Sequence, residues 1–222
     1  MLCAKVAEMS FYRGFAMLTM RAALMGAMAL LLAVPAAAQF SDTYNFFKHV
    51  RERKAFEAVK IITEAGSAVV NFRDSETGDT ALVMVTRGRD IGWVNLLVSK
   101  GADVNGKARD GNPPLIVAAN LGWSDGVQRL LSLGANINAQ NSSGETALIK
   151  AVHARDLQTV RVLVDAGANA DKSDSVTGKS ARDYSLDDRR YAAIAKAIKD
   201  GPTKAATAPA AAPVVAPVAA PK

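Results

Sequence analysis

Cys3, His49 and His153 are the chain's only cysteine and histidines, the residue types that most often ligate metals or attack substrates. Zinc chemistry needs three or four such ligands, or carboxylates, converging on one point. His49 and His153 lie far apart in the chain and neither belongs to a paired-ligand motif, so no metal site is expected. Acyl transfer at a G-x-S-x-G elbow and zinc hydrolysis at an H-E-x-x-H helix both need strings that do not occur here. The stretch "SDSVTGKS" (Ser173 to Ser180) ends like the phosphate loop G-x-x-x-x-G-K-[ST]. Its first glycine is missing, Ser173 standing in that place, and no buried strand precedes it, so a cradle of backbone N–H groups is not expected. Catalysis has no visible carrier, and neither an enzyme nor a cofactor site is expected. Trp93 and Trp123 remain, either as packing between neighbouring elements or as exposed anchors for a partner.

The elements that hold these residues are set by a repeat. Gly101, Gly134 and Gly167 are 33 residues apart. A valine precedes each by seven residues (Val94, Val127, Val160) and a leucine by four (Leu97, Leu130, Leu163). Gly66 fits the frame with Val59 and Ile62, and Gly201 fits it with Ile194 and Ala197. Fourteen residues before each valine or isoleucine stand Asn45, Thr80, Pro113, Thr146 and Ser180. Thr, Ser and Asn are helix N-caps, because their side-chain oxygen accepts from a free backbone N–H. Pro114 suits the first helical turn, where its missing N–H does no harm. Leu82, Leu115 and Leu148 then begin an apolar stripe. Each unit therefore reads as a short capped helix, a tight turn, and a second helix of about ten residues, closed by glycine in the left-handed region. The polar runs that follow, with turn glycines Gly111, Gly144 and Gly178, read as extended hairpin-like fingers. Their spacing is held because both ends must meet helices stacked in register.

"GDTAL … VNLLVSKGADVN", "GNPPLIVAANLGWSDGVQRLLSLGANIN" and "GETALIKAVHARDLQTVRVLVDAGANAD" resemble the ankyrin repeat. The resemblance covers Asn45 to about Gly201 and implies an all-α solenoid of about five stacked helix-turn-helix units with irregular end caps. It departs from the family pattern in three places. The histidine usual in the first-helix motif is Val83, Ile116 and Ile149 here, so its hydrogen bonds to neighbouring loops are missing. The inter-helix glycine survives as Gly122 but is replaced by Arg89 and Arg155, which puts the form of those turns in doubt. Extra residues lengthen the fingers after Gly66 and Gly167. The charged stretches "KHVRERKAFEAVK" and "DDRRYAAIAKAIKD" supply the polar outer faces that end units of a stack need.

Outside the repeats the chain changes character. Residues 1–38 read as an export signal: Arg13 and Arg21, the apolar run "AALMGAMALLLAV", Pro35, and Ala36-Ala37-Ala38 with cleavage before Gln39. Met17 or Met20 as the start would give a signal of more usual length. The competing reading, an uncleaved anchor, has 17 uncharged residues, fewer than the roughly 20 that span a bilayer. Cleavage removes Cys3 and leaves no cysteine, so stability rests on packing alone. A bacterial periplasmic or secreted protein is expected, monomeric and with no membrane segment after cleavage. The net charge of +6 falls to +4 without the signal, which has no clustered nucleic-acid footprint but favours acidic partners generically. Residues 201–222 carry five prolines and nine alanines and cannot pack a core. This tail reads as extended, reaching on the order of 60 Å, either inert or a tether to envelope components.

Residues 39–200 thus form the repeat domain, and the expected function is a non-catalytic scaffold for a protein partner of unknown identity. The other readings are an envelope tether using the tail, and an accessory or inhibitor of a periplasmic enzyme. In ankyrin proteins the concave face and the fingers are the usual contacts. Mapped here, the resemblance implies the first-helix residues Met84, Arg87, Val117, Asn120, Lys150 and His153. It also implies the finger residues Arg73, Glu76, Lys107, Arg109, Gln140, Asn141 and Lys172.

Overall fold

A computed structural model describes residues 36–201. Most of the expected signal, residues 1–35, and the tail from residue 202 onward lie outside the described residues. The chain divides into two compact units, Met1–Asp42 and Thr43–Lys222. Of the first, the described part is helical.

Ten α-helices follow one another among the described residues, paired as five helix-turn-helix units. They are α1 (Ala36–Arg51) with α2 (Ala55–Ala65), α3 (Ala81–Arg87) with α4 (Ile91–Ser99), and α5 (Pro114–Asn120) with α6 (Ser124–Ser132). The last two pairs are α7 (Ala147–His153) with α8 (Leu157–Asp165), and α9 (Ala181–Leu186) with α10 (Ala192–Asp200). First helices pack on first helices, α3 on α5 on α7 on α9, while α6, α8 and α10 form the second layer. A helix of two turns cannot bury its apolar stripe alone, so each unit finishes its core on the next. Val94, Val127, Val160, Leu97, Leu130 and Leu163, the residues of the repeat frame, are all fully buried. Trp93 and Trp123 join the same core, which decides for the packing reading of both.

The caps are as the spacing predicts at three units. The side chains of Thr80, Thr146 and Ser180 accept from Val83 N–H, Ile149 N–H and Asp183 N–H. Pro113 caps α5 by backbone geometry alone, with Pro114 in the first turn. Asn45 is different: it lies inside α1, because Phe46, Phe47 and Val50 bury one face of a helix that is already running. In α2 the buried positions are Ala58 and Ile62, and Val59 is only partly covered. Gly66, Gly101, Gly134 and Gly167 take φ near +90° after the second helices, where a Cβ would be strained. Gly201 does not: its φ is −69°. A Cβ there would lie 1.9 Å from Val164 Cγ1, so space rather than backbone sign requires that glycine.

The arginines at the inter-helix turns also have an account. Arg53, Arg89 and Arg155 sit at φ of +58°, +52° and +57°, matching Gly122 at +61°. A left-handed arginine costs about 1–2 kcal/mol, and each reaches forward to the next unit. Arg53 Nη1 meets Asp90 Oδ2 at 3.6 Å. Arg89 donates to the Leu121 carbonyl, and Arg155 covers the Tyr191 ring at 5.2 Å.

The fingers are tight hairpins without regular strands. Ala108 N–H donates to Asn112 O at 2.9 Å, and Asn141 N–H to Glu145 O at 3.1 Å. The lengthened fingers close around "DSETG" and "DSVTG", with Asp74 and Asp174 buried inside. Along the finger base runs a ladder of carboxamides. Asn71 Oδ1 accepts from Asp103 N–H at 2.7 Å, Asn105 Oδ1 from Asn136 N–H at 2.8 Å, and Asn138 Oδ1 from Asn169 N–H at 2.8 Å. Asn105 and Asn138 thus each satisfy a backbone donor of the following unit, while Asp103, Asn136 and Asn169, two residues earlier in each stretch, accept from an N–H of their own unit.

Candidate protein-interaction face

Successive first helices put equivalent positions side by side. Seven residues after each N-cap stand Arg87, Asn120, His153 and Asp187, and one residue before each stand Asp79, Asn112, Glu145 and Lys179. The two positions belong to one unit's finger and helix; in two units they form an ion pair, and in a third a neutral imidazole stands beside a carboxylate. Arg87 Nε lies 3.0 Å from Asp79 Oδ2, His153 Nδ1 lies 4.0 Å from Glu145 Oε1, and Lys179 Nζ lies 2.7 Å from Asp187 Oδ2. The central unit has carboxamides at both places. There a concavity of about 120 Å³ opens, lined by the apolar Ile116, Val117 and Leu121 and by the polar Arg87, Asp110, Asn112, Asn120 and Lys150.

The electrostatics around His153 are coupled. Lys150 Nζ holds Glu145 Oε2 at 2.6 Å. Burial works to raise the Glu145 carboxyl, but Lys150 and the Asn141 amide outweigh it and hold it below the ordinary value. His153 packs edge-on against Tyr184, ring centroids 4.4 Å apart. Burial, aided by the Lys150 charge, pushes the imidazole below the ordinary histidine value, so His153 is neutral at pH 7.

The residues expected to meet a partner divide by what they touch. Arg87, Asn120 and His153 are exposed, and Lys150 is partly so. Val117 is 5% exposed, packed on Val83 and Ala108, and lines the concavity. Met84 packs against the core. Among the finger residues, Arg109 is exposed and makes no ion pair among the described residues, its stem lying against Gly78. Arg73 Nη1 donates to Gly78 O at 3.1 Å, and Glu76 pairs with Arg51 at 2.9 Å. Lys107 Nζ donates to Gln140 O at 3.0 Å and Lys172 Nζ to Asn138 O at 2.9 Å. Gln140 donates to Ser173 O, and Asn141 bonds Asn112 and Glu145, so these four bridge fingers as well as face outward. Sequence reasoning missed Asp110, which takes Arg87 Nη2 at 3.3 Å, and Asn112; the repeat offset itself could have found Asn112.

The "SDSVTGKS" stretch shows why it is no phosphate loop. Val176 and Thr177 N–H groups do converge, but on the Asp174 carboxylate of the same finger, which fills the place of an anion. Among the described residues, no group of three or more His, Cys, Asp or Glu stands close enough to hold a metal ion. None of the described helices is long and apolar enough to cross a membrane.

The profile described as ankyrin repeats (3 copies) matches residues 46–141, 94–174 and 115–205. No curated protein matches the chain. Ankyrin repeats generally mediate protein–protein interaction, and members are typically non-catalytic scaffolds. With matches running from Phe46 into the tail and helix pairs stacked unit on unit, the chain belongs to the ankyrin-repeat family.

Proposed function

We propose that this chain is a non-catalytic scaffold that binds a protein partner in a bacterial periplasm through its fingers and first helices. The observation that carries the reading is the row Arg87, Asn120 and His153, one per unit, outward at equivalent positions while the frame residues beneath are buried. Such a face is preformed, so little ordering is needed on binding. The export signal read in residues 1–38 and the single cysteine within it support the compartment.

Cross-linking in intact cells, with captured proteins identified, tests the binding. Replacing Arg87, Arg109 and Lys150 together by alanine is expected to weaken an identified partner by about tenfold or more. Unchanged affinity in a variant of unchanged thermal stability removes this face. Fractionation with N-terminal sequencing tests the compartment: a mature chain starting at Gln39 outside the cytoplasm is expected, and a full-length cytoplasmic chain overturns it.

A further inference from the structure

Two units are ion-paired at these positions, a third sets neutral His153 against Glu145, and the one unit with carboxamides at both places points to a subsite. We infer that the concavity of the central repeat is the specificity-determining subsite for the partner, receiving one aliphatic side chain from an extended, uncharged peptide segment. This rests on the protein-binding reading of the face.

Four features of the lining select that occupant. Ile116, Val117 and Leu121 supply the apolar part of a lining that is otherwise polar. The space, about 120 Å³, is below the roughly 150 Å³ of an engineered cavity that takes benzene; it suits a branched aliphatic group rather than an aromatic ring. The Asn120 carboxamide makes no hydrogen bond among the described residues. Asn112 accepts at its Oδ1 from Asn141 Nδ2 at 2.8 Å, and its side chain also bonds the Asp110 carboxylate, so the free carboxamide is that of Asn120. A carboxamide offers a donor and an acceptor, the complement of a peptide unit. Finally, neither cation of the lining lacks a counter-charge. Arg87 is held by Asp79 and Asp110, and Lys150 by Glu145. An acidic residue would have to break those pairs, whereas a neutral segment leaves them intact.

The molecule supplies its own closed version of the subsite. Asn112→Asp with Asn120→Arg installs in the central unit the pair that Asp79 and Arg87 form at 3.0 Å in the preceding one. Aspartate keeps the acceptor that Asn141 needs, so the double variant preserves that bond. A displayed library of random-sequence peptides is selected on the full chain and the winners are measured on each variant.

Enrichment of Leu, Ile or Val at one position, with no acidic bias around it, is expected. N112D/N120R should then weaken those peptides by about tenfold or more, and Asn120→Ala by severalfold, at unchanged melting temperature. Winners enriched in acidic residues, or winners bound equally by N112D/N120R, overturn the subsite. If the Arg87, Arg109 and Lys150 alanine variant still loses them, the face survives as the binding surface. If that variant also binds them as the wild type does, the subsite and the face fall together.

Discussion

At the scale of single residues, the repeat imposes contacts that ordinary propensity would not suggest. Gly126 lies in the first turn of α6, where alanine normally stabilises by about 1 kcal/mol. Here a Cβ would lie 2.0 Å from Trp123 Cε3, against a ring that is itself buried in the core. Gly126→Ala is therefore expected to destabilise by about 1–3 kcal/mol through overpacking. A urea titration that finds the variant equal or more stable would show that the ring can move aside. Arginine at the left-handed turn positions follows similar logic. Backbone strain at Arg89 is set against a bond to Leu121 O in the next unit, whereas Gly122 has no strain and no side chain to reach with.

At the scale of elements, the last finger couples the fold to acidity. Asp174 accepts from the Tyr184 hydroxyl at 2.7 Å and from the N–H groups of Val176 and Thr177. The Tyr184 hydroxyl, then the Thr177 N–H, hold its carboxyl far below the ordinary aspartate range. A depressed carboxyl contributes stability above its unfolded pKa, about 3.9, and loses it as pH falls toward the folded value. Asp174→Asn should thus be less stable than wild type at neutral pH, the gap narrowing steadily below about pH 4. Chemical denaturation across that range measures it, and a gap independent of pH would assign the loss to shape alone.

Much of these elements is legible in the chain. The glycine frame, the Thr80, Thr146 and Ser180 caps and the long fingers all follow from spacing. Asn45 misled because a polar residue of capping type also occurs in mid-helix, and only the burial of Phe46 and Phe47 tells the two apart. The face was less legible. Sequence cannot distinguish a lysine that stays in solvent from Lys107 or Lys172, whose ammonium groups land on a carbonyl of another finger. Nor does it show that Asn112 and Asn120 border an opening, since that depends on what the flanking units place beside them.

At the scale of the stacked units, stability is a sum of units and their interfaces. The helices α5 to α7 have neighbours on both sides, while α10 packs onto α8 with no further repeat among the described residues. Amide hydrogen exchange is expected to be slowest in α5 to α7 and fastest in α2 and α10, graded outward. Uniform protection throughout would indicate all-or-none opening instead.

The carboxamide ladder has a consequence for how such a chain can change length. Asn105 and Asn138 each accept the same bond from the same kind of donor, an asparagine backbone N–H one unit ahead. Excising residues 106–138, or copying them in tandem, joins an identical donor to an identical acceptor at the splice. Growth or loss by whole repeats therefore leaves this ladder bond intact at the splice, and the number of units along the face can vary while the ladder stays unbroken.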